Sequence, residues 1–513
     1  MNIALIGHVD AGKTTLARLL TEVASTAAFN HAEGRENTMD LGYSSFSFID
    51  NRRICLIDCP GHAALVRAVV AASSVIDAAV LVVSAIRGME AQSAEHLLLM
   101  DVACGGRGGR PRVTVVLSKC DVATEEQIKT AERSVRKAFK ALGLPPEPEI
   151  VRTSLVAGPD VEEKVAAVKT AIGRMVEEVE KDRLASPSTS SAQARSGSIE
   201  PLVAVDHCFA VKGKGHVMTG SVLEGRVRPG MEMEVAGTRE KRRIREVQSW
   251  KEARNEVGRG ERVAMLVSAL DSPPSRCLVG PPGSLIGLTN VRATVTAIPY
   301  FRLPVRSGSK VQISCGYETE TATIRFGRPE GYGSGQEAEK GPFELLPDLS
   351  PPCLAFLSLA KPLFSPLGSF YIASRLELKG KGCRFPFYGR LEGTVADESP
   401  PRFFTRKMRE GTVERMADAR TLIVKDLFKR ETKQSLFEGM HVVLLPWAMT
   451  GRLEGAFGAS GKARIALPRS LTEDEQADVE AGAGVTVRLY LKKYTDGGPM
   501  ESYVPTHPGD TVD

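Results

Sequence analysis

The 513-residue sequence has no uninterrupted apolar run of the roughly 18 residues that a membrane helix needs, because Asp77 splits the longest candidate, Ala68–Ile86. No membrane partner is therefore expected. It also has no C-x-x-C pair. Nine cysteines, an odd number, supply neither a disulfide framework nor a zinc-ribbon spacing, and a reducing compartment fits them best. A large charge of one sign is missing too: 67 basic and 62 acidic residues leave +5, too little by itself to argue for a nucleic-acid partner. The hydrophobic share of 42% and charged share of 25% are ordinary globular values, which exclude global disorder and fibrous repeats. The first apolar strand begins at Asn2, leaving no room for a signal or transit peptide, so a cytoplasmic location is expected. At roughly 150 residues per domain, the length accommodates three or four domains.

Residues 1–183 alternate apolar runs with helical patterns. Asn2–Ile6, Ile54–Ile57, Ala79–Val83, Val113–Leu117 and Glu149–Arg152 read as strands, separated by amphipathic stretches such as Lys13–Leu20 and Glu125–Leu142. This is the βαβ signature of a mostly parallel sheet. Tyr43–Ile49 alternates apolar and polar residues, and Asp50-Asn51 offers a two-residue turn before the Ile54 run, which predicts one antiparallel edge strand. The Ser-rich stretch 184–199 lacks the side chains to build a core and reads as a flexible linker. Beyond it, helical periodicity gives way to short Val/Ile/Leu-rich runs between Gly, Pro and Asp turn signals, an all-β pattern too long for one small barrel. Punctuation at Thr289-Asn290 and Glu398-Ser-Pro-Pro401 divides it into three β-barrel domains, 200–288, 289–397 and 398–513. In the last of these, residues 401–470 hold 14 Lys/Arg against 7 Asp/Glu while 471–513 hold 3 against 9, so the basic half is suited either to phosphates or to a solvated mixed-charge face.

The most specific motif is Gly7-His-Val-Asp-Ala-Gly-Lys-Thr14, a G-x-x-x-x-G-K-[ST] loop between a strand and a helix. Its Asp10, Ala11, Gly12, Lys13, Thr14 and Thr15 would surround a β-phosphate with backbone N–H groups. Lys13 would neutralise β/γ charge and the Thr14 hydroxyl would face Mg²⁺. Asp58-Cys-Pro-Gly-His62 follows the next strand, so Asp58 stands beside the phosphates and can hold Mg²⁺ through a water. Gly61 can donate its N–H to the γ-phosphate, and His62 can reach an attacking water. Ser118-Lys-Cys-Asp121 ends another buried strand where guanine-specific proteins carry Asn-Lys-x-Asp. A carboxylate at Asp121 accepts from guanine N1–H and its exocyclic amine, and the Lys119 stem covers the ring, which favours GTP over ATP. Ser154 and Leu155 in Thr153-Ser-Leu155 would supply the final base loop. The first domain is thus expected to be an α/β P-loop GTPase domain that binds GTP or GDP with Mg²⁺.

The combination of Gly7-His-Val-Asp10, Asp58-Cys-Pro-Gly-His62 and a following β-barrel resembles the translational GTPases related to elongation factor Tu. The whole chain is more closely similar to the eukaryotic selenocysteine-specific elongation factors, through Ser25-Thr-Ala-Ala-Phe29, Asp40-Leu-Gly42, Val205-Asp-His-Cys-Phe209, Gly213-Lys-Gly-His-Val-Met-Thr-Gly220, Ile298-Pro-Tyr-Phe-Arg302, Leu427-Phe-Lys-Arg-Glu-Thr432 and Ala456-Phe-Gly-Ala-Ser-Gly-Lys462. These segments span all four domains. The resemblance implies GTP-dependent delivery of selenocysteinyl-tRNA to the ribosome at recoded UGA codons, with ribosome-stimulated hydrolysis releasing the tRNA. By motif matching it implies that Thr38 closes on Mg²⁺ and the γ-phosphate, that His62 positions water, and that Asp10 organises charge at the β–γ bridge, where a monovalent cation is a further expectation. Asp206, His207 and Arg262 match the residues that surround the selenocysteine side chain. A cationic His/Arg pocket with an orienting carboxylate favours a selenolate over a neutral hydroxyl; the competing reading is an ordinary strand start and a surface ion pair.

The third domain is implied to contact tRNA, and the fourth to couple to the ribosome and to the selenocysteine insertion RNA element or its binding protein. There Lys425, Lys429, Arg430, Lys433, Lys462 and Arg464 would meet phosphates, while Phe428, Phe437 and Phe457 read as core. Lys241-Arg-Arg-Ile-Arg245 reads equally as an RNA contact or as a strand with one solvated face. The family suggests a monomer. Three departures stand out: Ser118 replaces Asn, and Glu36 and Asn37 replace Gly and an apolar residue in Arg35-Glu-Asn-Thr38. They predict looser nucleotide retention and looser gating of His62 beside Val9. The alternatives are another aminoacyl-tRNA-binding translational GTPase, or a degenerate RNA-binding scaffold that no longer cycles.

Overall fold

A computed structural model describes residues 1–24, 42–48, 53–59, 75–105, 112–156, 160–185, 200–274, 276–316, 318–330, 342–378, 382–395, 400–458, 461–482 and 484–505. The first domain is a seven-stranded sheet built from β1 (Asn2–Ile6), β2 (Val23–Ala24), β3 (Gly42–Ser47), β4 (Arg53–Asp58), β5 (Ala78–Ser84), β6 (Val113–Ser118) and β7 (Ile150–Arg152), in the order β2-β3-β4-β1-β5-β6-β7. β4, β1, β5, β6 and β7 run parallel. β5 reads AAVLVVS with every residue buried, as a strand covered on both faces must. β3 is antiparallel to β4, as expected, but the edge belongs to the two-residue β2 outside it. The described β3–β4 register runs from Gly42 with Asp58 to Ser47 with Arg53, and the Asp50-Asn51 turn expected between them lies outside the described residues.

Among the described residues four helices accompany these strands: α1 (Lys13–Leu20), α2 (Ala91–Gly105), α3 (Glu125–Ala141) and α4 (Val161–Ala185). α3 starts where Thr124 and Gln127 form a reciprocal capping box, and it buries Ile128, Ala131, Val135 and Phe139 at helical spacing. α4 runs to Ala185, two residues into the stretch read as linker; residues 186–199 lie outside the described residues. Among the described residues no helix is long and apolar enough to cross a membrane.

Three six-stranded barrels follow among the described residues. In the second domain the path Glu232–Val235, Cys277–Gly280, β8 (Leu202–Val211), β9 (Gly215–Glu224), Arg262–Val267 and Lys241–Ser249 closes by pairing its last strand with its first. In the third, Lys310–Cys315 pairs with both Phe370–Ser374 and the start of Glu318–Pro329, closing a circuit through Phe387–Thr394, Ile286–Thr294 and Leu354–Ser365. Ile286–Thr294 runs through residue 288, because the Thr289-Asn290 pair lies within the strand and not before it. In the fourth, Phe403–Asp418 pairs with Thr421–Lys425 and Thr486–Tyr494, and the ring is completed by Lys462–Ala466, Met449–Phe457 and His441–Leu445.

The chain forms two compact units, Met1–Ile324 with Ala355–Thr394, and Arg325–Leu354 with Val395–Asp513. Residues 325–354 thus cluster with the fourth domain, although their sequence position assigns them to the third. Parallel pairing of Phe343 with Phe403 and packing of the two rings at 6.2 Å hold them there.

Candidate nucleotide site and a buried charge pair

The chain leaves β1 at Ile6 and turns at Gly7, whose φ is 140° and where a Cβ would overlap the Val82 carbonyl oxygen. Asp10 (φ 58°, exposed) and Gly12 (φ 94°) continue the loop through the left-handed region, around buried Ala11. α1 then opens without a side-chain cap and with no acid in its first turn. Its N–H groups and dipole are therefore arranged for an external anion. Lys13 is buried, its Nζ donating to the His8 carbonyl at 2.6 Å, and burial lowers its pKa against the opposing pull of Asp58. An ammonium so placed gains from an anionic ligand. Thr15 is exposed on α1, whereas Thr14 Oγ1 donates to Asp58 Oδ2 at 2.6 Å and so ties the helix to the end of β4. Two hard oxygen donors side by side fit Mg²⁺. Among the described residues no three His, Cys, Asp or Glu side chains group around a metal, so Thr14 and Asp58 would need phosphate oxygens or water to complete a cation's shell.

The base loop converges on the same place. Ser118, fully buried at the end of β6, donates its hydroxyl to the Ala11 carbonyl at 2.7 Å and approaches the Val83 carbonyl at 3.3 Å. The departure from Asn therefore retains a tie to the phosphate loop, which side-chain length alone did not suggest. Lys119 follows with φ 60°, and Asp121 is exposed. Cys120 N–H donates to the Thr153 carbonyl (3.2 Å) and Thr153 N–H to that of Leu117 (2.8 Å), which brings buried Ser154 and half-buried Leu155 beside the loop. Asp10–Thr15, Ser118–Asp121 and Thr153–Leu155 thus meet at the carboxyl ends of the strands. Thr38, Gly61 and His62, with Glu36 and Asn37, lie outside the described residues.

Two residues of α2 join this site without having been singled out in the sequence. Ser93 Oγ accepts from His8 N–H at 3.0 Å, and His96 Nδ1 accepts from Gly7 N–H at 3.3 Å. Burial, reinforced by the Lys13 charge, pushes the His96 pKa down to about 3, so its ring is a neutral acceptor. Their i, i+3 spacing on an apolar helix was the one available signal.

In the second domain the register of β8 against β9 slips between Val205 and His207, making Asp206 the extra residue of a β-bulge. The bulge turns the buried Asp206 carboxylate toward Arg262. Arg262 Nη1 pairs with Oδ2, Nη2 donates to Oδ1 at 3.1 Å, and Nη1 reaches Ser221 Oγ at 3.3 Å. Thr219 Oγ1 (3.0 Å) and His207 Nδ1 (2.8 Å) also meet Oδ1. A carboxylate only accepts, so Nδ1 carries a proton and Nε2 is the outward nitrogen. Burial opposes the charge on Asp206, yet Arg262 and the hydrogen bonds hold its pKa below the usual carboxylate range. Arg262 is raised above its ordinary value, the partner carboxylate outweighing burial. The three residues predicted to act together are together, but not alike. The Arg262 side chain is 9% exposed and stacks over the ring of Tyr43, which the sequence did not single out, whereas His207 is 37% exposed.

In the fourth domain Phe428 and Phe437 are core, but Phe457 is half-buried, with the exposed Arg415 and Arg464 guanidinium groups at 5.5 and 5.7 Å from its centroid. A register shift between Leu453 and Gly455 pairs it with Lys462, on the face that carries Arg464 and opposite buried Ala463, which corrects the expectation of a core ring. Lys425, Lys429, Arg430 and Lys433 are exposed, and Lys462 pairs with Glu414 at 2.6 Å. Lys241–Ser249 is a strand that buries Ile244 and exposes Arg243 and Arg245.

The elongation factor Tu GTP-binding domain family matches residues 1–226, and the eEFSec C-terminal RIFT domain family matches residues 401–493. The selenocysteine-specific elongation factor of Mus musculus is 29% identical over 93% of this chain and 89% of its own length. The chain belongs to the selenocysteine-specific elongation factors. It is a GTPase of the elongation factor Tu superfamily. Another member of the family, from Methanocaldococcus jannaschii, is 30% identical over 63% of this chain and 66% of that one. The factor's fold matches the crystal structure of translation elongation factor SelB from Methanococcus maripaludis in complex with the GTP analogue GppNHp. The TM-score is 0.71 at 23% identity, covering 96% of this chain and 98% of that chain.

Proposed function

We propose that the factor carries selenocysteinyl-tRNA to the ribosome at recoded UGA codons in the cytoplasm, as a monomer, and releases it when the ribosome stimulates GTP hydrolysis. The observation that carries this reading is the buried Asp206–Arg262 pair holding a half-exposed His207, a built cationic site on a barrel attached to a phosphate-binding domain. Protonated His207, oriented through Nδ1 by Asp206, presents Nε2–H to a selenolate; a serine hydroxyl offers no charge in return. Arg262 acts behind it, neutralising Asp206 so that the site gains net positive charge when His207 is protonated.

In the first domain Lys13 and the Gly7–Thr14 backbone hold the β- and γ-phosphates, and Asp121, Lys119, Ser154 and Leu155 surround the guanine. Mg²⁺, which Thr14 and Thr38 would hold with Asp58 behind a water, supplies charge neutralisation when bound. His62 positions water with Gly61 donating to the γ-phosphate, and Asp10 organises charge at the β–γ bridge, where a monovalent cation would be accommodated. We assign 200–288 to the aminoacyl end, 289–397 to tRNA contact and 398–513 to the ribosome and the RNA element or its binding protein. Arg415, Phe457 and Arg464 support the last assignment, since an aromatic face flanked by guanidinium groups suits an unpaired base.

Phosphate release on UGA-programmed ribosomes with selenocysteinyl-tRNA tests the cycle. Release should accelerate with ribosomes and fall to the basal rate in His62→Ala. Equal stimulation of that variant would remove His62 from the mechanism.

A further inference from the structure

Helix α2 touches the nucleotide site and the third domain at once. On one side Ser93 Oγ and His96 Nδ1 take the N–H groups of His8 and Gly7, two successive residues where the phosphate loop leaves β1. The backbone at Gly7 passes so close to β5 that a Cβ there would overlap the Val82 carbonyl oxygen. His8 is held twice more: its carbonyl accepts from Lys13 Nζ at 2.6 Å, and its Nε2 lies 3.2 Å from Glu90 Oε1, just before the helix. The residue that fixes Lys13 is therefore itself fixed by α2. The ring of His96 is 2% exposed and the Ser93 side chain is equally enclosed, so water cannot replace either acceptor at low cost.

Next to His96 on the same helix, Glu95 receives Arg384 of the third domain in a two-pronged pair, Nε to Oε1 at 2.9 Å and Nη2 to Oε2 at 2.6 Å. Their side chains are only 14% and 13% exposed. A fork of this geometry, largely out of water, fixes position far better than a surface pair.

We propose that His96 and Ser93 are positioning residues for the phosphate loop, and that the Glu95–Arg384 pair makes their hold on the nucleotide depend on the placement of the third domain. α2 is then a strut. A change at the tRNA-facing barrel that draws Arg384 away shifts the acceptors under Gly7 and His8, and the loop loosens its grip on the diphosphate without any residue touching the nucleotide being altered. This rests on the chain binding GTP and GDP, and gives nucleotide exchange a control point of its own.

The test is dissociation of a fluorescent GDP from the full chain. His96→Ala leaves the Gly7 N–H without its acceptor and should speed release about tenfold. Asn at 96 places Oδ1 where Nδ1 stood, so His96→Asn should return release to within about twofold of wild type, a rescue that lost packing volume would not show. Ser93→Ala, the smallest deletion, should accelerate release about threefold and guards against misfolding of the histidine variants. Arg384→Ala and Glu95→Gln should each act in the same direction, and Arg384→Ala should add less to His96→Ala than it does to wild type. Wild-type release in both His96→Ala and Ser93→Ala, or failure of the Asn rescue, would overturn the positioning role. Unchanged release in Arg384→Ala would overturn the link to the third domain. A wild-type chain that retained no GDP would instead contradict the nucleotide-binding reading on which the proposal rests.

Discussion

The guanidinium of Arg262, in the second domain, lies 3.9 Å from the centroid of the Tyr43 ring on β3 of the first. Both are buried, and the same guanidinium orients Asp206 and through it His207. Tyr43 follows Thr38 by five positions, so β3 begins against the pair proposed to shape the aminoacyl site. A cation over a desolvated ring contributes about 2 kcal/mol. In a double-mutant cycle of Tyr43→Leu with Arg262→Lys, read from urea unfolding, the two changes should couple by about 1–2 kcal/mol. Additive effects would mean that the stacking holds nothing together.

Asp206 is the carboxylate on which Arg262 depends. Asp206→Ala leaves a buried guanidinium uncompensated, and a loss of about 3–5 kcal/mol in unfolding free energy is expected. Asp206→Leu combined with Arg262→Met removes both charges and should recover a large part of that loss. If the double variant were as unstable as the single one, packing and not charge would explain the effect.

Stability should fall in acid through His96. Its folded pKa, about 3, lies below the ordinary 6.5, so the unfolded chain binds a proton that the folded chain refuses. The contribution is fully present above about 6.5 and is lost as pH falls toward 3, at a slope of at most about 1.4 kcal/mol per pH unit. Asp206, held below its ordinary 3.8, adds a loss in the same direction at lower pH. Urea midpoints measured between these limits should fall less steeply for His96→Asn, which does not titrate. Parallel curves would show that His96 is not buried neutral.

Ser118 supplies a third test of the nucleotide site. Its hydroxyl on the Ala11 carbonyl is worth about 1 kcal/mol, so Ser118→Ala should release GDP about fivefold faster. Ser118→Asn, the residue usual at this place, should hold GDP longer if the amide finds its contacts in the fully buried position. Release from Ser118→Ala at the wild-type rate would mean that the hydroxyl tethers nothing.

The parts of the fold visible in the sequence were those fixed by neighbouring residues. β1 and α1 fall at Asn2–Ile6 and Lys13–Leu20 because an apolar run, two glycines and an amphipathic stretch follow one another within 20 positions. The same local grammar delivered the phosphate and base loops. Contacts between distant segments were not legible. Nothing in β8 announces that Asp206 is a bulge residue, since the slip is set by its pairing with β9. Tyr43 looks like any aromatic of an alternating strand until Arg262 is laid on it. Ser93 and His96 read as polar interruptions of a helix because the N–H groups they satisfy belong to residues more than 80 positions away. Phe457 was read as core from its type, whereas its register puts it outside.

Protection of the aminoacyl ester from hydrolysis tests the central claim most directly. Selenocysteinyl and seryl forms of the same tRNA are compared with a GTP analogue and with GDP. The account predicts protection of the selenocysteinyl form alone, lost with GDP and weakened in His207→Ala. Equal protection of both forms would contradict the selenolate site, and protection of neither would contradict tRNA delivery itself.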